Sequence, residues 1–238
     1  MGKIFDIKFM IGSVPEILTG LPMTLLLAFI SAGIGFVIAL TVALVRYFNV
    51  RVLSTVCKIY VSYIRGTPML VQILLTFFGI PLLLKVINLR WGTTYNVNSL
   101  PREMFAIIAL SLNAGAYMSE TLRSALLAVD IGQLEACYSV NMTTRQALVR
   151  IIMPQAFSIA IPPLANTLVS LVKETSLVFT ISIVDMMAQA KIVGARGYRF
   201  FEVYIVVSII YWVVCSLIAK ALTTAEKRSR AHERKLYA

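Results

Sequence analysis

Residues 132–156 read GQLEACYSVNMTTRQALVRIIMPQA, from Gly132 to Ala156, a mostly polar stretch set between strongly apolar ones. A bilayer gives no reason for a structured internal loop of this length, so the segment needs a partner in water. Gly132-Gln133 reads as a break, and residues 134–140 have helical content through Glu135, Ala136, Cys137 and Tyr138. Asn141 stops that helix, because asparagine follows glycine in its ease of adopting left-handed geometry at a helix end. Thr143-Thr144-Arg145-Gln146 fits a capping box, in which the threonine bonds forward and the glutamine bonds back. A second helix over 146–152 then leads into Met153-Pro154. The pattern predicts two short helices at an angle, a knob with small residues at 136 and 137 that can seat in a groove. The bland alternative is an ordinary connecting loop.

Around this segment the chain is made for lipid. It is 59% hydrophobic and 14% charged, with a mean hydropathy of +0.84, whereas soluble domains carry about 25% charged residues. Residues 17–45, 66–84, 104–119, 151–172 and 203–219 contain no Asp, Glu, Lys or Arg. A helix needs about 20 mainly apolar residues to cross the hydrocarbon, so five spans are expected. They run from Pro22 to Val45, from Thr67-Pro68 to about 81–86, over Met104–Leu126, from Pro154 through Pro162-Pro163, and over Val203–Lys220. A short basic loop joins the first two, Thr67 is placed to cap the second, and the two prolines break the fourth. The apolar piece 175–184 is too short to span and reads as a re-entrant or surface segment.

With five spans the termini lie on opposite sides, and the Lys/Arg balance chooses between them. Arg46, Arg51, Lys58, Arg65, Arg123, Arg145, Arg150, Lys220, Lys227, Arg228, Arg230, Arg234 and Lys235 fall on one side; Lys3, Lys8, Lys85, Arg90, Arg102, Lys191, Arg196 and Arg199 fall on the other. The richer side is the cytoplasm, which puts the N-terminus outside and both the C-terminus and the quoted segment inside. The net charge of +11 is accounted for by these flanks, so no nucleic-acid partner is expected. One integral membrane domain follows, over 19–222 with its cytoplasmic loop at 127–153, preceded by an extracytoplasmic amphipathic arm over 1–18 and followed by a basic cytoplasmic tail over 223–238. Outside, residues 88–103 with Trp91, Gly92 and Tyr95 read as turn and interface. His232 is the only histidine and the cysteines Cys57, Cys137 and Cys215 have no metal-type spacing, so no metal site and no catalytic residues are expected.

Ionised residues inside a bilayer are costly and should face protein or water. Asn113 and Glu120 share a helical face with Tyr117 between them, and Asn166, Ser170 and Lys173 share another, with Glu174 adjacent. A free amino acid would need an acceptor for its ammonium group, which Glu120 or Glu174 offers, and a donor for its carboxylate, which Lys173 offers. Equally, Lys173 and Glu174 can serve to hold the broken fourth span, and Glu120 can pair with Arg123 at i+3.

At this point the chain resembles a family. Permease subunits of ATP-driven bacterial importers carry Glu-Ala-Ala, three residues, Gly, nine residues, Ile-x-Leu-Pro; this chain reads Glu135-Ala136-Cys137, then Asn141, then Ile151-Ile152-Met153-Pro154 at the same spacing. It is similar to the branch for polar amino acids (histidine, glutamine, arginine and cystine), through Arg65-Gly66-Thr67-Pro68-Met69-Leu70-Val71-Gln72, Ser111–Tyr117 with Glu120 and Arg123, Gly132-Gln133, Pro154-Gln155-Ala156 and Lys173–Leu177. It departs at Cys137 for alanine, Asn141 for glycine and Glu174 for aspartate. The resemblance spans about residues 15–225 and implies an all-α integral membrane protein with the type I ABC importer permease fold. It implies ATPase coupling through Gly132, Gln133, Glu135, Ala136, Cys137, Asn141, Met142 and Pro154, and a substrate path past Thr67, Asn113, Tyr117, Glu120, Asn166, Ser170, Lys173 and Glu174. Its implied partners are two cytoplasmic ATPase subunits that hold ATP and Mg, a second copy or a related permease, an extracellular or periplasmic amino-acid-binding protein, and the lipid of the bacterial cytoplasmic membrane. The chain has no GxxxxGK[ST] sequence, so ATP would be hydrolysed elsewhere and no cofactor belongs to this chain. The alternative is a secondary amino-acid carrier driven by an ion gradient, which would normally need more spans or an internal repeat.

Overall fold

A computed structural model describes residues 5–94, 96 and 99–236, with side chains at all of these except 225 and 228–236. Tyr95, the first four residues of the expected arm, and the side chain of His232 lie outside that description. Every regular element is helical: α1 (Ile7–Leu18), α2 (Leu21–Tyr47), α3 (Arg51–Gly66), α4 (Met69–Trp91), α5 (Arg102–Ala128), α6 (Ile131–Ser139), α7 (Thr144–Ala147), a π turn (Leu148–Ile152), α8 (Met153–Glu174), a 3-10 turn (Thr175–Ile181), α9 (Met186–Gly197) and α10 (Phe200–Leu236). Among the described residues four helical runs are long and apolar enough to cross a membrane: Leu21–Tyr47, Met69–Trp91, the continuous Thr144–Ile181, and Phe200–Thr224.

At the centre lies α5. Its 27 residues make a rod of about 40 Å, yet it is less apolar than the four runs because it lies inside the protein. Ser111, Asn113 and Ser119 on it are buried, beside Ala106, Ala109, Ala114 and Ala116. Facing it, α2 presents Gly35, Ala39 and Ala43 one turn apart. A Cβ on Gly35 would lie 2.8 Å from the Ala114 Cβ, and one on Gly115 would lie 2.8 Å from Ile38 and 3.0 Å from the Tyr60 hydroxyl. Small residues every fourth position let two helix backbones approach closely, which is how apolar helices associate where water cannot drive them together.

The region expected as a short basic loop after α2 is helix α3. Its sequence divides into three sectors at helical spacing. Ser54, Val61 and Ile64 are buried, Val52, Val56, Ile59 and Tyr63 are exposed and apolar, and Arg51, Lys58 and Arg65 follow one another every seven residues. Tyr60 donates to the Leu112 carbonyl at 2.6 Å, which lays α3 against the middle of α5. Thr67 does not cap α4. It is extended, as the residue before a proline must be, and its hydroxyl turns back to the Tyr63 carbonyl at 2.9 Å. Pro68 is also extended (ψ 140) and is itself the cap residue of α4. The helix continues through Pro81 to Trp91, beyond the expected end, and stops at Gly92 in left-handed geometry (φ 64).

The expected break at Pro162-Pro163 does not occur, since α8 runs through both. What Pro154 alters lies one turn earlier. Without an N–H it cannot bond the Arg150 carbonyl, and the helix widens: the Met153 N–H reaches back five residues to the Leu148 carbonyl in a π turn. Such a turn absorbs a local register fault without ending the helix. Residues 175–181 tighten into the 3-10 turn, and Thr175, Val178, Ile181 and Ile183 are buried, so this piece is interior rather than a surface segment. Asp185, fully buried, caps α9 by accepting from the Ala188 N–H at 2.9 Å and also accepts from the Tyr211 hydroxyl at 3.3 Å. Burial pushes its carboxyl above the ordinary aspartate value, against the pull of those hydrogen bonds. The first helix, α1, packs through Ile17 against α9 and α10 and is tied there by the Glu16–Arg196 ion pair. The last helix runs without interruption across the expected boundary at 222/223.

Candidate functional site

The segment at 131–152 projects two short helices joined by a doubly anchored turn. Asp130 caps α6 by accepting from the Gly132 N–H at 2.6 Å, so Gly132-Gln133 is the first turn of the helix and not a break before it. At the other end Asn141 has φ 62. The Asn141 N–H bonds the Tyr138 carbonyl and the Met142 N–H bonds the Cys137 carbonyl, both at 3.0 Å. This pair of bonds around a left-handed residue is the Schellman termination. The capping box follows: the Gln146 N–H donates to Thr143 Oγ1 at 3.3 Å, and the Thr143 N–H donates to Gln146 Oε1 at 2.9 Å. The second helix is not separate, because α7 passes through the π turn directly into α8. Gln155 on α8 donates to Gln133 on α6 at 3.4 Å.

The knob therefore has a fixed shape and a bare outer face. Gly132, Gln133, Glu135, Ala136 and Asn141 are exposed, as is Pro154; Met142 is half-buried. Cys137 points inward and is buried. The Glu135 carboxylate has no ion pair or hydrogen bond among the described residues. An exposed, rigid, unpaired group on such a knob is free to meet another molecule.

Between them α5 and α8 form an open polar cleft of about 270 Å³ lined by Asn113, Tyr117, Asn166, Thr167, Ser170 and Glu174, with Ala114 and Leu171; Tyr117, Asn166 and Ser170 are exposed in it. This is near the lower end of small-molecule sites. Asn166, Ser170 and Glu174 follow at intervals of four, so one face of α8 supplies all three. Asn113 is buried and spends an amide hydrogen on Gln72 Oε1 at 3.0 Å. Gln72 in turn donates to the Ile64 carbonyl at 2.8 Å and to Thr67 at 2.9 and 3.0 Å. One buried amide thus fastens the α3–α4 junction to the cavity wall. Tyr117 stands under the Arg65 guanidinium, 5.3 Å above the ring centroid.

Three of the residues singled out in the sequence lie elsewhere. Thr67 is engaged with Gln72 and Tyr63. Lys173 is exposed and lines no part of the cavity. Glu120 is ion-paired with Arg46 of α2 and with Arg123, the latter at 3.1 Å. A carboxylate so enclosed needs paired charge to offset its desolvation, and two guanidinium groups supply it. Sequence reading assigned no site role to Gln72, which closes the family-like run 65–72, or to Arg46. The signal for Gln72 was a lone amide within the apolar run 66–84; Arg46 had none beyond its place at the end of a span.

Comparison with known proteins agrees with this architecture. The family model for the binding-protein-dependent transport system inner membrane component matches residues 34–230. A probable amino-acid permease protein of Bacillus subtilis, YxeN, is 41% identical over 209 residues, 88% of this chain and 89% of that one. The L-cystine transport system permease protein TcyB of the same organism is 40% identical over 215 residues, 90% of this chain and 86% of that one. Among solved structures, an amino acid ABC transporter crystallised with histidines superimposes with a TM-score of 0.81 at 34% identity, covering 95% of this chain and all of the matched one.

Proposed function

This chain belongs to the family of binding-protein-dependent transport system inner membrane components, and from that premise we propose that it is the membrane-spanning subunit of an ATP-driven importer for a polar amino acid or cystine. In this reading α2, α4, α5, α8 and α10 are five spans with the N-terminus outside and the C-terminus in the cytoplasm of a bacterium. The α5 rod counts as a span because its length suffices and its polar residues face protein or the cavity. Residues 1–18 form the outer arm, 19–222 the permease domain and 223–238 the cytoplasmic tail.

The observation that carries the proposal is the rigid knob at 131–152, exposed at Glu135 and continuous through the π turn with the helix that lines the polar cavity. The knob would seat in a cleft on one of two ATPase subunits, which hold the ATP and Mg. Their closure would draw two knobs together, one from this chain and one from a second copy or related permease, and α8 would carry the movement to the cavity. An external binding protein would deliver the amino acid. Inside, Glu174 would accept from its ammonium group, while Asn113, Asn166 and Ser170 would satisfy the remaining polar groups. The secondary-carrier alternative is less well supported, since a similar solved structure at 34% identity is that of an ABC transporter.

Glu135→Arg tests this. The residue is exposed and unpaired within the chain, so the variant should insert normally and keep its thermal stability while losing ATP-driven uptake in proteoliposomes. Normal uptake with this variant would end the coupling role of the knob.

A further inference from the structure

At the end of the bundle opposite the knob, α4 and the start of α5 enclose a second cavity, of about 570 Å³. Its floor is aromatic and apolar: Phe77 and Phe105 meet edge to face at 5.6 Å, and Phe78 and Leu82 stand 66% and 64% exposed on the outward side. Its rim carries two cations, Lys85 and Arg102. Neither is ion-paired with a carboxylate among the described residues; Arg102 donates only to the Ser182 carbonyl, at 3.3 Å. Phe78, Leu82 and Lys85 lie on one face of α4 at intervals of four and three, so the cavity runs along the helix from an apolar end to a charged one.

That gradient follows depth in the membrane. The charge-free run of α4 ends at residue 84, directly before Lys85, and Arg102 opens α5. Trp91, 68% exposed with the Arg90 guanidinium 5.9 Å from its ring, closes α4, as aromatic and basic residues do at a membrane–water interface. The two cations therefore stand at headgroup level and the phenylalanines at acyl-chain level.

We propose that this cavity binds an anionic phospholipid, its phosphate held between Lys85 and Arg102 and the upper part of a chain laid over Phe77, Phe78 and Leu82. The apolar floor beneath the cations is what distinguishes a lipid from a soluble phosphate, which would gain nothing from it. The site is separate from the transport cavity and does not depend on the transport reading.

The test is lipid retention by the purified full-length complex, equilibrated with equal phosphatidylglycerol and phosphatidylcholine and measured by native mass spectrometry. A cation near an anionic headgroup favours it by about fivefold, so two cations should give a preference of about 30-fold. Lys85→Gln with Arg102→Gln should bring the ratio close to one. Lys85→Gln alone, at an exposed position, should lower it about fivefold and serves if the double variant fails to fold. An unchanged ratio in the single variant overturns the proposal. Displacement of phosphatidylglycerol by millimolar inorganic phosphate would also overturn it, in favour of a soluble anion. So would near-complete cross-linking of a Leu82→Cys variant to a second permease or to a binding protein, because the cavity would then be a protein interface.

Discussion

Replacing Gln72 by methionine keeps its length and apolar stem while removing its hydrogen bonds. The Gln72 side chain is buried and joins three elements: its amide nitrogen donates to the Ile64 carbonyl at 2.8 Å and to Thr67 at 2.9 and 3.0 Å, and its oxygen accepts from Asn113 at 3.0 Å. In Gln72→Met the Thr67 hydroxyl keeps its bond to Tyr63 and the part-buried Thr67 carbonyl turns to water, but the Ile64 carbonyl and the Asn113 amide are left as buried orphans. Each buried orphan costs about 1–3 kcal/mol, so the pair costs about 3 kcal/mol after partial relaxation. For a chain of this size that lowers the unfolding midpoint by about 6–12 °C. The measurement is thermal unfolding in detergent, with Asn113→Ala and the double variant beside it. If the two amides act as a unit, the double variant loses less than the sum of the singles, by about 0.5–3 kcal/mol. A midpoint within 2 °C of the parent (about 1 kcal/mol or less), or strict additivity, would refute the clamp.

Two further outcomes follow from single residues. Asn141 holds φ 62; Asn141→Gly should leave stability and uptake intact, while Asn141→Val should cost about 1–2 kcal/mol and raise hydrogen exchange over residues 138–146. Asp185→Ala removes a helix cap and a partner of half-buried Tyr211, and should destabilise the protein by about 2–4 kcal/mol in thermal unfolding. Because the folded protein raises the Asp185 carboxyl above its ordinary value of 3.8, its protonated form favours folding. That contribution is present below 3.8 and is lost as pH rises through the raised value, so a pH series of unfolding midpoints should flatten in Asp185→Asn.

Local chemistry was the most legible part of this chain. Asn141 and the Thr143–Gln146 box work through backbone groups within a few residues, so spacing alone placed them. The knob was readable for that reason, although Asp130 starts its first helix one turn earlier than expected. Helix α3 was hidden because Arg51, Lys58 and Arg65 interrupt its apolar positions every seventh residue, which looks like a basic loop until the protein-facing and lipid-facing sectors are separated. The role of Lys173 against Glu174 turned on a single step of 100° around α8. Only the angle between α8 and α5 decides which of the two meets the cavity, and that angle depends on packing far along the chain. The prolines misled for a related reason: Pro162 and Pro163 were accommodated within a continuous helix, and the register shift appeared before Pro154.

On the proposed function, the knob at 131–152 touches a separate ATPase. A cysteine in place of Glu135, in a chain with Cys57, Cys137 and Cys215 changed to serine or alanine, can be offered a short bifunctional reagent in membranes containing the assembled transporter. An adduct of the permease with the ATPase subunit is expected, formed only when the reagent reaches the ATP-binding side. Modification of that cysteine from the opposite side of sealed vesicles, with no ATPase adduct, would contradict it.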